Sequence, residues 1–142
     1  CFSLFWRLIM STLKVNNIQT AGGGSNSTPE QIEQGRAKVW CCFNGSLGTL
    51  AILDSFNTSS VTDNGTGDFT INFSTSFSNA NYAVGSSTAG SSNADSIVVA
   101  GRNGGTASSD KTASALRFQV RYAPSNSLQD PDRVSNICFG DM

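Results

Sequence analysis

Asp54-Ser-Phe-Asn-Thr-Ser-Ser-Val-Thr-Asp-Asn-Gly-Thr-Gly-Asp-Phe-Thr-Ile-Asn-Phe73 reads as a strand end, a turn and a second strand in a single run. From Asp68 the residue types alternate: Phe69, Ile71 and Phe73 fall on one side, and Asp68, Thr70, Asn72 and Ser74 on the other. That is the period of a half-buried β-strand, so one face is core. Asn64-Gly65 just before it supplies residues that tolerate positive φ. The chain can reverse there without steric cost, and the turn sets the register of the pair.

Working outward, the same period recurs. Ala37, Val39, Cys41 and Phe43 alternate with Arg36, Lys38, Trp40 and Cys42, and Asn44–Gly48 loops into Leu50-Ala-Ile-Leu53. Phe77 to Val84, with Tyr82 and Val84, suggests a further strand, and Ile97-Val-Val-Ala100 is a short apolar one. The clearest is Leu116-Arg-Phe-Gln-Val-Arg-Tyr122, with Leu116, Phe118, Val120 and Tyr122 inward and Arg117, Gln119 and Arg121 outward. Ile137-Cys-Phe139 ends the series, while 85–93 and 101–111 read as polar loops. About eight short strands between Gly/Ser/Asn turns predict an all-β, antiparallel β-sandwich or jelly-roll-like domain over 36–142.

The first 35 residues are different. Cys1 to Ile9 is apolar but too short to cross a bilayer, which takes about 20 residues. Residues 1–10 are therefore set apart as an atypical leader, an upstream stub or the tail of a longer chain. Ser11 to Thr20 reads as a short extended segment with Leu13 and Val15 in alternation and Ile18 offset, and Ala21 to Ser27 as a flexible linker. Thr28-Pro-Glu-Gln31 carries a cap, a first-position proline and a glutamine three residues after the cap, with Gly35 as a stop. This predicts one short helix, and 11–35 as an attachment segment distinct from the β domain.

Composition narrows the chemistry. Charged residues are 13% of the 142, against about 25% in ordinary domains, and the net charge is -1. No basic field attracts nucleic acid, no polybasic patch suits a membrane, and few like charges oppose self-association. There is no histidine, which removes the usual general base and the commonest metal ligand. No enzyme activity, cofactor or metal is therefore expected. Cys41 and Cys42 are adjacent and would point to opposite faces of a strand, so they cannot share a tetrahedral site. With Cys138 they read as free thiols, a disulfide from Cys138 to one of the pair being the alternative.

Other patterns reduce to turns and loops. The glycine-rich runs lack the phosphate-loop spacing, and Asp130, Asp132 and Asp141 lack the alternation of a calcium loop. Five Asn-x-Ser/Thr triplets occur, against 13 × 34/142, or about three, by chance from 13 Asn and 34 Ser plus Thr, so they do not argue for glycosylation. Trp40 and Tyr82 could stack on a sugar. Trp40, opposite in phase to Val39 and Phe43, fits a subunit interface better.

Four phrases of the chain, Ser11-Thr-Leu-Lys-Val-Asn-Asn-Ile-Gln19, Gly35-Arg-Ala-Lys-Val-Trp40, Asp54 to Phe73 and Asn79-Ala-Asn-Tyr-Ala-Val84, occur in an order and spacing that resembles tail-fibre-like virion proteins of marine bacteriophages, the cyanophage type above all. The resemblance covers roughly Ser11 to Met142, and the nine leading residues depart from it. It implies a non-enzymatic virion protein, a fibre or appendage subunit forming a homotrimer. The N-terminal segment would attach to other virion proteins through residues 11–20, and the β domain would project toward a host surface glycan or protein. Alternatives are a capsid-bound decoration or head-fibre protein, and a carbohydrate-binding module using Trp40 or Tyr82. Leu13, Val15, Ile18 and Trp40 are the interface candidates. Ser87, Ser91, Asn93, Arg102 and Asn103 are the candidate recognition-loop residues.

Overall fold

The computed structural model describes residues 14–19, 21–24, 26–46, 48, 50–89, 110–122 and 125–142, together with the backbone of Ile97–Ala100. The chain divides into two compact units, Cys1–Glu33 and Gln34–Met142. The predicted leader, residues 1–10, and Leu13 lie outside the described residues.

In the first unit β1 (Ile18–Gln19) pairs antiparallel with β2 (Asn26–Ser27), Ile18 opposite Ser27 and Gln19 opposite Asn26. The stretch expected to be a linker is thus partly the turn and return arm of a small hairpin, with Gly23 at φ 72°. Helix α1 (Pro29–Gly35) follows, and its predicted cap forms reciprocally. The Thr28 N–H donates to Gln31 Oε1 at 3.0 Å and the Gln31 N–H to Thr28 Oγ1 at 3.2 Å, which satisfies two otherwise orphaned helix-terminal donors. No residue of α1 is buried.

The second unit is all β. Its strands are β3 (Val39–Asn44), β4 (Ala51–Phe56), β5 (Thr58–Asp63), β6 (Asp68–Phe73), β7 (Ala83–Ala89), β8 (Ile97–Ala100), β9 (Lys111–Thr112), β10 (Ala115–Tyr122), β11 (Ser127–Leu128) and β12 (Arg133–Phe139). One sheet runs β11-β10-β6-β5, with β8 and β9 also pairing β10; the other runs β4-β3-β12-β7. Every pairing is antiparallel, and the two sheets pack as the expected sandwich. Residues 85–89, expected in a loop, instead complete β7, paired along its length with β12. Their small, uncharged side chains carry no strand signal of their own, so the pairing partner decides the conformation.

The alternations place the core. Val39, Cys41, Phe43, Val134 and Cys138 from one sheet meet Phe69, Ile71, Phe73, Leu116, Phe118 and Val120 from the other, all buried. Phe43 wedges between Phe69, at 5.2 Å and 66°, and Phe118, at 6.4 Å. At the other end Phe73, Phe77 and Tyr82 cluster with centroids 4.4–5.6 Å apart. Such edge-on and offset contacts add about 0.5–1.5 kcal/mol per pair beyond area burial. The Tyr82 hydroxyl donates to Ala115 O at 2.9 Å, and Lys111 Nζ lies 4.5 Å above its ring.

The Asp54 to Phe73 run does more than form a hairpin. β4 ends in one sheet and β5 begins in the other, with Asn57 alone between them at φ 55°. Its side chain replaces the lost ladder: Nδ2 donates to Thr75 O at 3.0 Å and Lys38 O at 3.2 Å, and Oδ1 accepts from Thr75 N at 2.7 Å. β5 then returns antiparallel as β6, with Gly65 and Gly67 at positive φ in the turn. Gly67 also abuts β10, since an added Cβ would fall 2.7 Å from both Val120 O and Gln129 N. There the β6 edge of β10 hands over to β11: Val120 N donates to Gly67 O at 2.8 Å, and Val120 O accepts from Gln129 N at 3.1 Å.

Asp68 opens β6 on the outward side, as its phase predicts, yet it is buried, 8% exposed. Arg117 grips it through Nε at 2.8 Å and Nη2 at 3.1 Å, and Gln119 Nε2 and Asn64 Nδ2 donate at 3.2 and 3.3 Å. Burial pushes the carboxyl up, but these hydrogen bonds and the Arg117 charge outweigh it and hold the group below its ordinary value of 3.8.

Two outcomes test these joints. Asn57→Ala should cost about 1–3 kcal/mol in urea unfolding, because it strands backbone groups and strains a left-handed residue. Asn57→Gly, which relieves only the strain, should be the milder change, and equal stability of Asn57→Ala and wild type would refute the corner role. For Asp68, a folded value below the unfolded one adds stability above the ordinary pKa and loses it as pH falls through the folded value. Wild type should therefore lose stability below about pH 4, and Asp68→Asn, weaker at neutral pH, should show a flatter acid limb. Parallel acid limbs for the two proteins would refute the assignment.

Candidate functional site

The inward residues of β3 and β12 are core, so their alternates build the opposite, outer face of the β4-β3-β12-β7 sheet. Registers align Phe56 with Trp40, Trp40 with Ile137, and Ile137 with Gly85. These four residues form one row across four strands. Phe56 is 51% exposed and Ile137 37%, and Trp40 is half-buried. Ile137 leans on Gly85, where an added Cβ would lie 3.1 Å from its Cγ2.

The next row, Asp54, Cys42, Ser135 and Ser87, is set by the same registers. Cys42, Ser135 and Ser87 are small, and together with the ridge of Trp40 and Ile137 they line a shallow groove of about 470 Å³. The Ser135 hydroxyl points at Cys42 Sγ, 3.5 Å away. A β-bulge between Cys42 and Phe43 admits Leu53 as an extra residue on β4, which brings Phe56 into phase with Trp40. That bulge hid Phe56 from simple counting along the sequence, and Ile137 was masked by its position between the polar Asn136 and the core Cys138.

The three described cysteines are free, and the adjacent pair splits as expected. Cys41 and Cys138 face the core, where burial pushes each thiol up to about 11. Cys42 faces the groove. Inside the sheet, Asn136 is 5% exposed; its Oδ1 accepts from Ser86 Oγ at 2.6 Å while Nδ2 has no partner among the described residues. No cluster of three or more metal-ligating side chains occurs among the described residues. Asp130 and Asp132 are instead occupied locally, accepting from the Gly67 N–H at 2.6 Å and Ser46 Oγ at 2.5 Å.

The outer face of the other sheet has a different chemistry. Asn72 Nδ2 donates to Ser60 Oγ and Thr62 Oγ1 at 3.0 and 3.2 Å, and Asn64 Nδ2 to Thr70 Oγ1 at 2.9 Å. Arg121 donates to Gln119 Oε1 at 2.6 Å and Asn126 O at 2.9 Å. These groups satisfy one another.

In the first unit Val15, Ile18 and Ile32 are 37%, 53% and 46% exposed, and they line a groove of about 600 Å³ rimmed by Lys14, Glu30 and Glu33. Of the residues singled out from sequence, Val15 and Ile18 thus converge on one groove, and Ile32 of α1 joins them. Trp40 and Ser87 meet on the sandwich face, Ser87 in a strand rather than a loop. Ser91, Asn93, Arg102 and Asn103 lie outside the described residues. Tyr82 is 2% exposed inside the aromatic cluster, so it offers no ring to a sugar. No described helix is long and apolar enough to cross a membrane.

The split of the thiols is directly measurable. In a Cys1→Ser background at pH 8, Ellman's reagent should modify Cys42 in the folded protein and reach Cys41 and Cys138 only on unfolding. Equal rates at all three would contradict the placement.

No protein-family model, curated protein or solved structure matches this chain.

Proposed function

We propose that this chain is a structural virion protein, a fibre or appendage subunit that assembles as a homotrimer. On this reading the N-terminal unit attaches to another virion protein and the sandwich projects for host attachment. The observation that carries the reading is where apolar side chains remain exposed. Val15, Ile18 and Ile32 gather on an N-terminal unit whose described residues include none that is buried, and Phe56, Trp40 and Ile137 gather on a sandwich that already owns a complete core. Exposed apolar clusters of this kind mark contacts with other proteins. A fibre subunit needs two such contacts, one with its neighbour on the particle and one with its own copies. The phrases that resemble phage tail-fibre-like proteins, the near-neutral charge and the lack of histidine support the same reading.

Light scattering on the purified chain should give three times the 14.9 kDa of one copy; a stable monomer at micromolar concentration overturns the trimer. Produced together with its virus, the wild-type chain should band with particles in a density gradient and an Ile18→Asp variant should not. Wild type remaining free of particles overturns the virion assignment.

A further inference from the structure

The outer face of the β4-β3-β12-β7 sheet is built as two parallel rows of opposite relief. Phe56, Trp40 and Ile137 form a ridge; Cys42, Ser135 and Ser87 form the trough beside it. A surface that carries both shapes side by side is complementary to itself, since the ridge of one copy fits the trough of another. Its charge has the same property. Among the described strand residues of this face Asp54 on β4 and Arg133 on β12 are the ionised ones, one of each sign, and both are exposed. Neither has an ion-pair partner among the described residues. Their backbones lie two strands and about two residues apart, roughly 12 Å from strand spacing and rise. A second copy brings a counter-charge for both, whereas a strongly acidic or basic partner would leave one of them opposed by its own sign.

We propose that copies of this chain meet through this face, the Phe56–Trp40–Ile137 ridge of one packing into the Cys42–Ser135–Ser87 trough of the next. The inference rests on the fibre reading in taking self-association as the purpose of the exposed aromatic row, and it names the surface that reading leaves open. The outer face of the β5-β6-β10 sheet is then the one turned to solvent, with its hydroxyl and amide groups already cross-linked.

The test uses the full chain and two exposed ridge positions, where a charge does not disturb the core. Phe56→Asp and Ile137→Asp should be monomers by light scattering, with wild-type circular dichroism and at least tenfold weaker association. Thr62→Asp, on the opposite face, should keep the wild-type mass. Filling the trough with Ser135→Trp should also dissociate the assembly. A wild-type monomer, or Phe56→Asp and Ile137→Asp variants that keep the wild-type mass, overturns the proposal. The two readings fail separately: an unaffected trimer removes the face and leaves the fibre, whereas a dimer that both variants break keeps the face and removes the trimer.

Discussion

A single residue carries the chain from one layer of the sandwich to the other, and the architecture depends on that crossing. β4 and β5 are neighbours in sequence but belong to different sheets, so the corner between them cannot be closed by ladder hydrogen bonds. Asn57 closes it with a left-handed backbone and an amide that binds Lys38 and Thr75. Asparagine is one of the few side chains that tolerates this conformation and can also satisfy nearby backbone groups. With the crossing placed there, β4 and β5 become edges, and β3, β12, β6 and β10 take interior positions with a neighbour along both edges.

Burial then follows from alternation, and the two sheets spend their outward residues differently. On one, Asn, Ser, Thr, Gln and Arg side chains bond to each other and to Asp68. On the other, aromatic and aliphatic groups remain open beside a trough of small residues. A surface low in charge can support both arrangements, because neither needs to separate like charges. The asymmetry between the faces gives the domain a direction, one side with its polar groups bonded to each other and the other with apolar groups left open.

Much of this could be read from residue types. Period-two alternation located the strands around Val39, Phe69, Leu116 and Val120, the Asn64-Gly65 turn and the Thr28–Gln31 cap form as expected, and the opposite facing of Cys41 and Cys42 follows from pleat geometry alone. Trp40 stood out because it is large and out of phase with the core. Features set by long-range pairing were not legible. Residues 85–89 are small and polar and become strand only because β12 lies beside them. Phe56 reaches the Trp40 row through a bulge, and Asn57 earns its role from Lys38 and Thr75, distant in sequence. Asp68 reads as an outward residue of its strand and is one; its burial depends on Arg117, 49 positions away.

The Asp68–Arg117 contact also limits where β10 can lie. Sliding β10 by two residues along β6 would keep Leu116, Phe118 and Val120 facing inward, so the apolar pattern tolerates the slip. The polar side does not tolerate it. Asp68 sits opposite Gln119, which donates to it, while Arg117 reaches it diagonally through both Nε and Nη2; a two-residue slip would set Arg117 or Arg121 opposite Asp68 and lose this combined set of donors. The outward side of this sheet therefore chooses among alignments that the interior accepts equally, a proofreading of strand position by hydrogen-bond geometry.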